Sequence, residues 1–174
     1  MKFQSLALAL ATFVLTGCDT VSDLVVTNIP NSRKGRASIV VKKRAQEADL
    51  YKGRALVSVA RISTGREGYE TPSGHFRVIR KDRDHRSGIY GDFVDSSGRV
   101  VKANVDVRKA SRPAHSHFVG APMPFYVEFS PSYGLHAGHL PGYPASHGCV
   151  RLSYWKARQF FNAARIGTPV TVRR

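Results

Sequence analysis

From residue 37 to its end the chain is a series of short apolar runs broken by glycine and proline, and one stretch alone repeats with a helical period. Ser38–Lys42, Ala48–Tyr51, Arg54–Ile62, His75–Arg80, Pro124–Ser130 and Thr168–Val172 are of strand length and rich in Val, Ile, Phe and Tyr. Lys52-Gly53 makes a tight turn between the second and third runs. Thr71-Pro72-Ser73-Gly74 makes another before the fourth. The helix is expected after Ser153, which can cap it, with Trp155, Phe160, Phe161 and Ala164 on its apolar side and Gly167 as its stop. A chain patterned this way must bury strand faces against one another, so the expected fold is mostly β with one or two helices. Its 174 residues suit one domain with a real core and leave little room for a second.

Residues 81–118 break the pattern, being polar, charged and poor in large apolar groups. A stretch of that length inside a compact domain is usually functional or mobile. It is read as a flap or insertion, with a hairpin within 89–108; the alternative is a plain solvated loop. Residues 18–36, with Asn28, Pro30, Asn31, Ser32 and Gly35, read as a tether.

The first residues give the compartment. Lys2 supplies a positive start, Leu6–Val14 a short apolar region, and Leu15-Thr16-Gly17-Cys18 small residues before a cysteine. The apolar region is too short for a permanent span and has the layout of an export signal. It resembles a bacterial lipoprotein signal over residues 1–17, which implies that Cys18 is lipidated after cleavage and anchors the chain on the periplasmic face of a membrane in the cell envelope. Asp19 follows, a residue associated in enteric bacteria with retention at the inner membrane. The chain has 27 Lys+Arg against 12 Asp+Glu, a net charge of +15. Such an excess suits an anionic partner. The basic residues are spread out, with no aromatic-interleaved basic box and no recognition-helix pattern, so nucleic acid is not the expected partner.

Only two cysteines occur. If Cys18 carries lipid, Cys149 is the remaining thiol of an exported protein and has no bridge to form; a Cys18–Cys149 disulfide is the alternative. Cys149 stands in Ser146-His147-Gly148-Cys149-Val150-Arg151, and His136-Ala137-Gly138 lies upstream. Cysteine attacks as thiolate and needs a neighbour that takes its proton or stabilises its charge. His136 and His147 are the candidates. Gly148 permits a sharp turn, and the N–H groups of Gly148 and Cys149 are candidate oxyanion donors. Arg151 offers a fixed planar charge suited to a carboxylate. The alternatives are an inert buried cysteine, or zinc held by His136, His139, His147 and Cys149; no Glu is at hand to serve a metal-bound water. His115 and His117 are read as flap residues.

The segment Tyr133–Leu152 resembles the active-site block of the YkuD-type L,D-transpeptidases. Ser63-Thr64-Gly65, Thr71-Pro72-Ser73-Gly74-His75-Phe76 and Pro122-Met123-Pro124-Phe125 agree with the family in the same order, over about Ala37–Val172. The resemblance implies a curved β-sheet sandwich with the catalytic segment in a groove, spanning 37–174. It implies Cys149 as nucleophile, His136 as general base oriented by a backbone carbonyl near Ala137 or Gly138, and His147 and Gly148 as shapers of the site. Arg151 would steady the loop or bind a peptide carboxylate, Ser146 would bond within the loop, and His139 and Tyr133 would line the groove, His139 otherwise facing solvent. No cofactor is implied. The implied substrate is the peptidoglycan stem tetrapeptide, cleaved before its terminal D-Ala; the acceptor is an amine of a second stem or of an envelope protein. Water as acceptor would make a carboxypeptidase or a cross-link-trimming hydrolase. A non-catalytic peptidoglycan-binding lipoprotein of this fold is the remaining alternative.

Overall fold

The structure, a computed structural model, describes residues 35–174. The expected export signal, the expected lipidation site Cys18 and nearly all of the expected tether lie outside the described residues. Strand follows strand from β1 (Ala37–Lys42) through β2 (Glu47–Lys52), β3 (Ala55–Ser63), β4 (Gly74–Arg77), β5 (Arg80–Asp82), β6 (Arg86–Asp95), β7 (Val100–Asp106), β8 (Ser116–Pro122), β9 (Tyr126–Ser130), β10 (Tyr133–Ala137) and β11 (Val150–Leu152). Then come α1 (Tyr154–Ala163) and β12 (Pro169–Arg173). The described fold is mostly β with one helix, as the apolar runs imply.

Nine strands form one sheet in the order β4-β12-β1-β2-β3-β11-β10-β9-β5. Its two outermost strands, β4 and β5, are neighbours in the chain. Between them Val78 and Ile79 turn the corner: the Val78 N–H donates to Thr168 O (2.9 Å) and the Ile79 N–H to Glu128 O (2.8 Å). The sheet therefore curls until its edges meet, and Phe76 of β4 reaches Phe129 of β9 with centroids 5.3 Å apart. A curled sheet hides its edge hydrogen-bonding groups, which would otherwise invite pairing with another chain. This is also why His75–Arg80, expected as one strand, is two: its halves pair with opposite ends of the sheet.

The concave face holds one core, with Ile39, Val41, Leu50, Ile62, Val127, Leu135, Val150, Leu152 and Val170 all buried. The helix closes it. Ala157, Phe160 and Ala164 are buried there and Phe161 is packed against the core. Trp155, expected on this face, is 70% exposed. It lies five residues before Phe160, nearly a turn and a half, which puts it on the far side of the helix. Ser153 occupies the N-cap without a side-chain cap bond, and the helix ends at Ala163. Gly167, with φ of 84°, serves the turn beyond rather than the stop itself. Phe160 fills the centre, and Phe160→Ala would cost about 3–5 kcal/mol.

The polar stretch after residue 81 forms a separate three-stranded sheet, β7-β6-β8. Its first two strands are a hairpin through Ser96–Gly98, covering the expected hairpin; β8 then returns along β6. All but two residues of β7 are exposed, so its sequence shows no apolar alternation.

Candidate active site

Two short parallel strands carry the candidate residues. β10 and β11 pair in the register Leu135–Val150, His136–Arg151, Ala137–Leu152. Side chains alternate along a strand, so burying Leu135, Ala137, Val150 and Leu152 in the core sends His136 and Arg151 to the other face. Cys149 precedes β11 by one residue and joins them there. β9 adds Tyr126 and Glu128 by the same alternation against Val127 and Phe129. The three-stranded sheet lies opposite. Between the two is a cavity of about 730 Å³, lined among others by Cys149, His136, Arg151, Tyr126, Tyr90 and Arg108.

The cysteine loop is fixed from behind. Ser146 Oγ donates to the Cys149 carbonyl and accepts the Gly148 N–H at 3.0 Å. The backbone of Ser146 is in turn bonded to Thr64 O (3.0 Å) and accepts the Arg66 N–H (3.1 Å). Thr71 Oγ1 donates to Gly148 O (2.7 Å) and accepts the Gly65 N–H (3.0 Å). The Ser63–Gly65 and Thr71–Gly74 segments, distant in sequence, are thus the bed of the loop. Gly148 has a φ of 120°, and a Cβ there would sit 2.7 Å from Tyr133 Cε1. Only glycine fits that combination without strain. Because the Gly148 N–H is bonded to Ser146, it is not free as an oxyanion donor; of the pair expected from sequence, the Cys149 N–H is the one left.

His136 is buried, and its Nδ1 donates to the carbonyl of Ala137 (2.7 Å). That bond fixes the tautomer and leaves Nε2 without a proton. Burial pushes its pKa down to about 4. At neutral pH the ring is an uncharged base. Cys149 is a free thiol at the cavity surface. Burial pushes the thiol up, against the Gly134 N–H, the charge of Arg151 and the Tyr126 hydroxyl, which favour thiolate. Its Sγ points to the carbonyl of Ser132 at 3.6 Å. The resting pair is therefore neutral thiol and neutral imidazole. Ser132 itself has a φ of 68°, which turns its carbonyl toward the sulfur while its N–H donates to Glu128 (2.9 Å).

His147 is exposed but held between aromatic rings. It stacks on Tyr90 (4.0 Å, 20°) and meets Tyr69 edge-on (5.0 Å, 85°). Its pKa is lowered by burial of part of the ring and by Arg66. Arg151 is half-buried, its stem laid over Gly138, and among the described residues no carboxylate lies within ion-pair distance of it. Tyr133 and His139 both line the cavity, Tyr133 against Gly148 and His139 at the exposed rim. Of the site residues expected within 133–151, all but Gly148 line one cavity, and Gly148 is buried beneath it against Tyr133. His115 and His117 are not among its lining residues. Among the described residues no three of His, Cys, Asp and Glu converge as metal ligands.

Among the cavity residues not singled out from the sequence are Tyr126, Tyr90 and Arg108. For Tyr126 a signal existed, since alternation in Tyr126–Ser130 puts Tyr126 and Glu128 opposite the core.

The profile of the L,D-transpeptidase catalytic domain matches residues 36–172. The probable L,D-transpeptidase 3 of Mycobacterium tuberculosis is 33% identical over 113 residues, covering 63% of this chain and 36% of that one. The chain thus spans about a third of that relative's length. An L,D-transpeptidase from Mycobacterium smegmatis superposes with a TM-score of 0.59 at 16% identity, over 80% of this chain and 59% of that one. An L,D-transpeptidase solved in complex with imipenem gives 0.59 at 19%, over 79% and 58%. At such identities the structures establish likeness of fold alone.

Proposed function

The chain belongs to the L,D-transpeptidase catalytic-domain family, and from that premise we propose that it is a cysteine acyltransferase acting on peptidoglycan stem peptides. One observation carries the reading: Cys149 and His136 border one cavity, with His136 Nδ1 bonded to Ala137 so that Nε2 is the nitrogen left to take a proton.

The neutral pair dictates the order of events. The thiol swings from the Ser132 carbonyl, and its proton passes to His136 Nε2 as sulfur attacks the carbonyl before the terminal D-Ala. The S–C bond forms, the carbonyl oxygen takes the charge, and the Cys149 N–H is placed to receive it. Collapse breaks the C–N bond, and Nε2 returns the proton to the departing amine. An acceptor amine then attacks the thioester, losing a proton to Nε2, which restores the thiol. Arg151, without an acidic partner among the described residues, is the cation for a carboxylate of the stem. An amine of a neighbouring stem yields a 3–3 cross-link and a protein lysine yields attachment.

The lipid anchor at Cys18 and the tether would hold this domain at the periplasmic face of a membrane, and the net charge of +15 would add salt-sensitive attraction to anionic envelope polymer.

A test follows from the imipenem complex of the relative. The protein mixed with imipenem is expected to gain one imipenem mass on the peptide containing Cys149, and Cys149→Ala none. An unmodified Cys149 in folded protein would contradict the reading.

A further inference from the structure

Tyr126 is held more firmly than a cavity wall requires. Its ring is 2% exposed and stacks on His85 (4.3 Å, 17°), whose Nδ1 is 3.1 Å from Asp82 Oδ2. Arg80, itself bonded to Glu128 at 2.7 Å, stands 5.4 Å from the ring centroid. On the remaining side is Gly134, where a Cβ would lie 2.4 Å from Tyr126 Cε2 and 2.8 Å from Cζ. The carbon that bears the hydroxyl is therefore pressed against the backbone of Gly134. Gly134 sits one residue before the Leu135–Val150 pair, so its neighbour across the strands is Cys149. Three contacts, from His85, Arg80 and Gly134, thus hold the ring with its hydroxyl beside the sulfur.

We propose that Tyr126 is a further catalytic residue: its hydroxyl donates a hydrogen bond to the Cys149 sulfur as the thiolate forms, and residue 134 is glycine so that the ring can approach. The idea rests on Cys149 being the nucleophile. The thiol proton goes to His136 Nε2, and Tyr126 keeps its own throughout. Burial raises the Tyr126 pKa, so the hydroxyl remains a donor at neutral pH. The same burial opposes the thiolate, and a donor to an ionised group is worth more than one to a neutral group. Other charged or titratable groups facing the sulfur are His136 from β10, Arg151 from β11 and Glu128 from β9, with Tyr90 and Arg108 across the cavity. All of these stay in place in the variants below, so a changed titration reports on the hydroxyl.

The test is the pH dependence of Cys149 alkylation by iodoacetamide in the full chain, read by peptide mapping so that Cys18 does not contribute. In Tyr126→Phe the midpoint is expected to rise by about one pH unit, and the rate at pH 7 to fall about tenfold, with the alkaline plateau unchanged. Gly134→Ala, which pushes the ring away while leaving the tyrosine, is expected to shift the midpoint in the same direction. A Tyr126→Phe midpoint equal to that of the wild type, whatever its melting temperature, would overturn the proposal. Iodoacetamide needs no cell-wall substrate, so an error in the substrate assignment leaves this result standing.

Discussion

Thr71 donates a 2.7 Å hydrogen bond to the carbonyl of Gly148 across 77 residues of sequence. The bond fixes the peptide plane between Gly148 and Cys149, and with it the direction of the Cys149 N–H. Thr71→Val keeps the shape and removes the donor. It is expected to lower kcat/KM about ten- to hundredfold, mostly in kcat, while destabilising the fold by only about 1–2 kcal/mol. Thr71→Ser should restore most of the rate. Steady-state kinetics beside thermal melts check both; equal rates in wild type and Thr71→Val would show that the bond does not orient the donor.

His136 should titrate far from an ordinary histidine. Burial holds its pKa in the folded protein at about 4, against an ordinary 6.5. The base form is then present down to about pH 4, and the acid limb of kcat/KM belongs near there. Stability follows the same sign. The unfolded chain binds this proton below about 6.5 and the folded chain only below about 4. Stability from this group is whole above pH 6.5 and is lost as pH falls from 6.5 to 4, by on the order of 3 kcal/mol. Denaturant titrations of wild type and His136→Gln across pH 4–7 measure it; parallel curves would contradict the buried neutral ring.

The stack of Tyr90 on His147 ties the three-stranded sheet to the cysteine loop. Such a ring pair contributes about 0.5–1.5 kcal/mol beyond its area. Tyr90→Ala should speed amide exchange in residues 86–122 roughly two- to tenfold, since opening of the sheet no longer breaks the stack. Exchange in β1–β3 should stay as it was. Uniform acceleration in both regions would mean global destabilisation instead.

Gly148→Ala places a methyl 2.7 Å from Tyr133 Cε1 at a φ of 120°. The loop must move, at a cost of about 1–3 kcal/mol. Acylation should fall more than a hundredfold, since displacement of the nucleophile by an ångström is enough for that. Imipenem adduct kinetics by mass spectrometry provide the number; wild-type rates would mean the loop tolerates the change.

Strands such as β1, β3 and β12 were legible because alternation or a Val-rich run marks a face that must be buried. Those that carry the site were not. β11 has three residues and β10 holds Gly134 and His136 among its five, so neither has a run long enough to read. Their parallel pairing is a matter of the chain crossing between them, which no local pattern encodes. The small sheet was hidden for another reason: its strand β7 is solvated nearly throughout. The residue types at 136 and 146–151 pointed to the candidate site because a cysteine nucleophile needs thiol, imidazole and a permissive glycine together. For Tyr126 alternation marks only the face opposite the core, and a tyrosine in a strand ordinarily means packing, so its place beside the sulfur was not legible.

The central claim is that Cys149 accepts an acyl group from a stem peptide and passes it to an amine. The direct measurement is incubation of the protein with disaccharide-tetrapeptide, with Cys149→Ala in parallel and both protein and muropeptides followed by mass spectrometry. The account predicts release of D-Ala, a transient adduct on Cys149 and a 3–3 linked dimer, all absent from the variant. Release of D-Ala to tripeptide alone would mean that water is the acceptor. Folded protein giving neither adduct nor product would contradict the account.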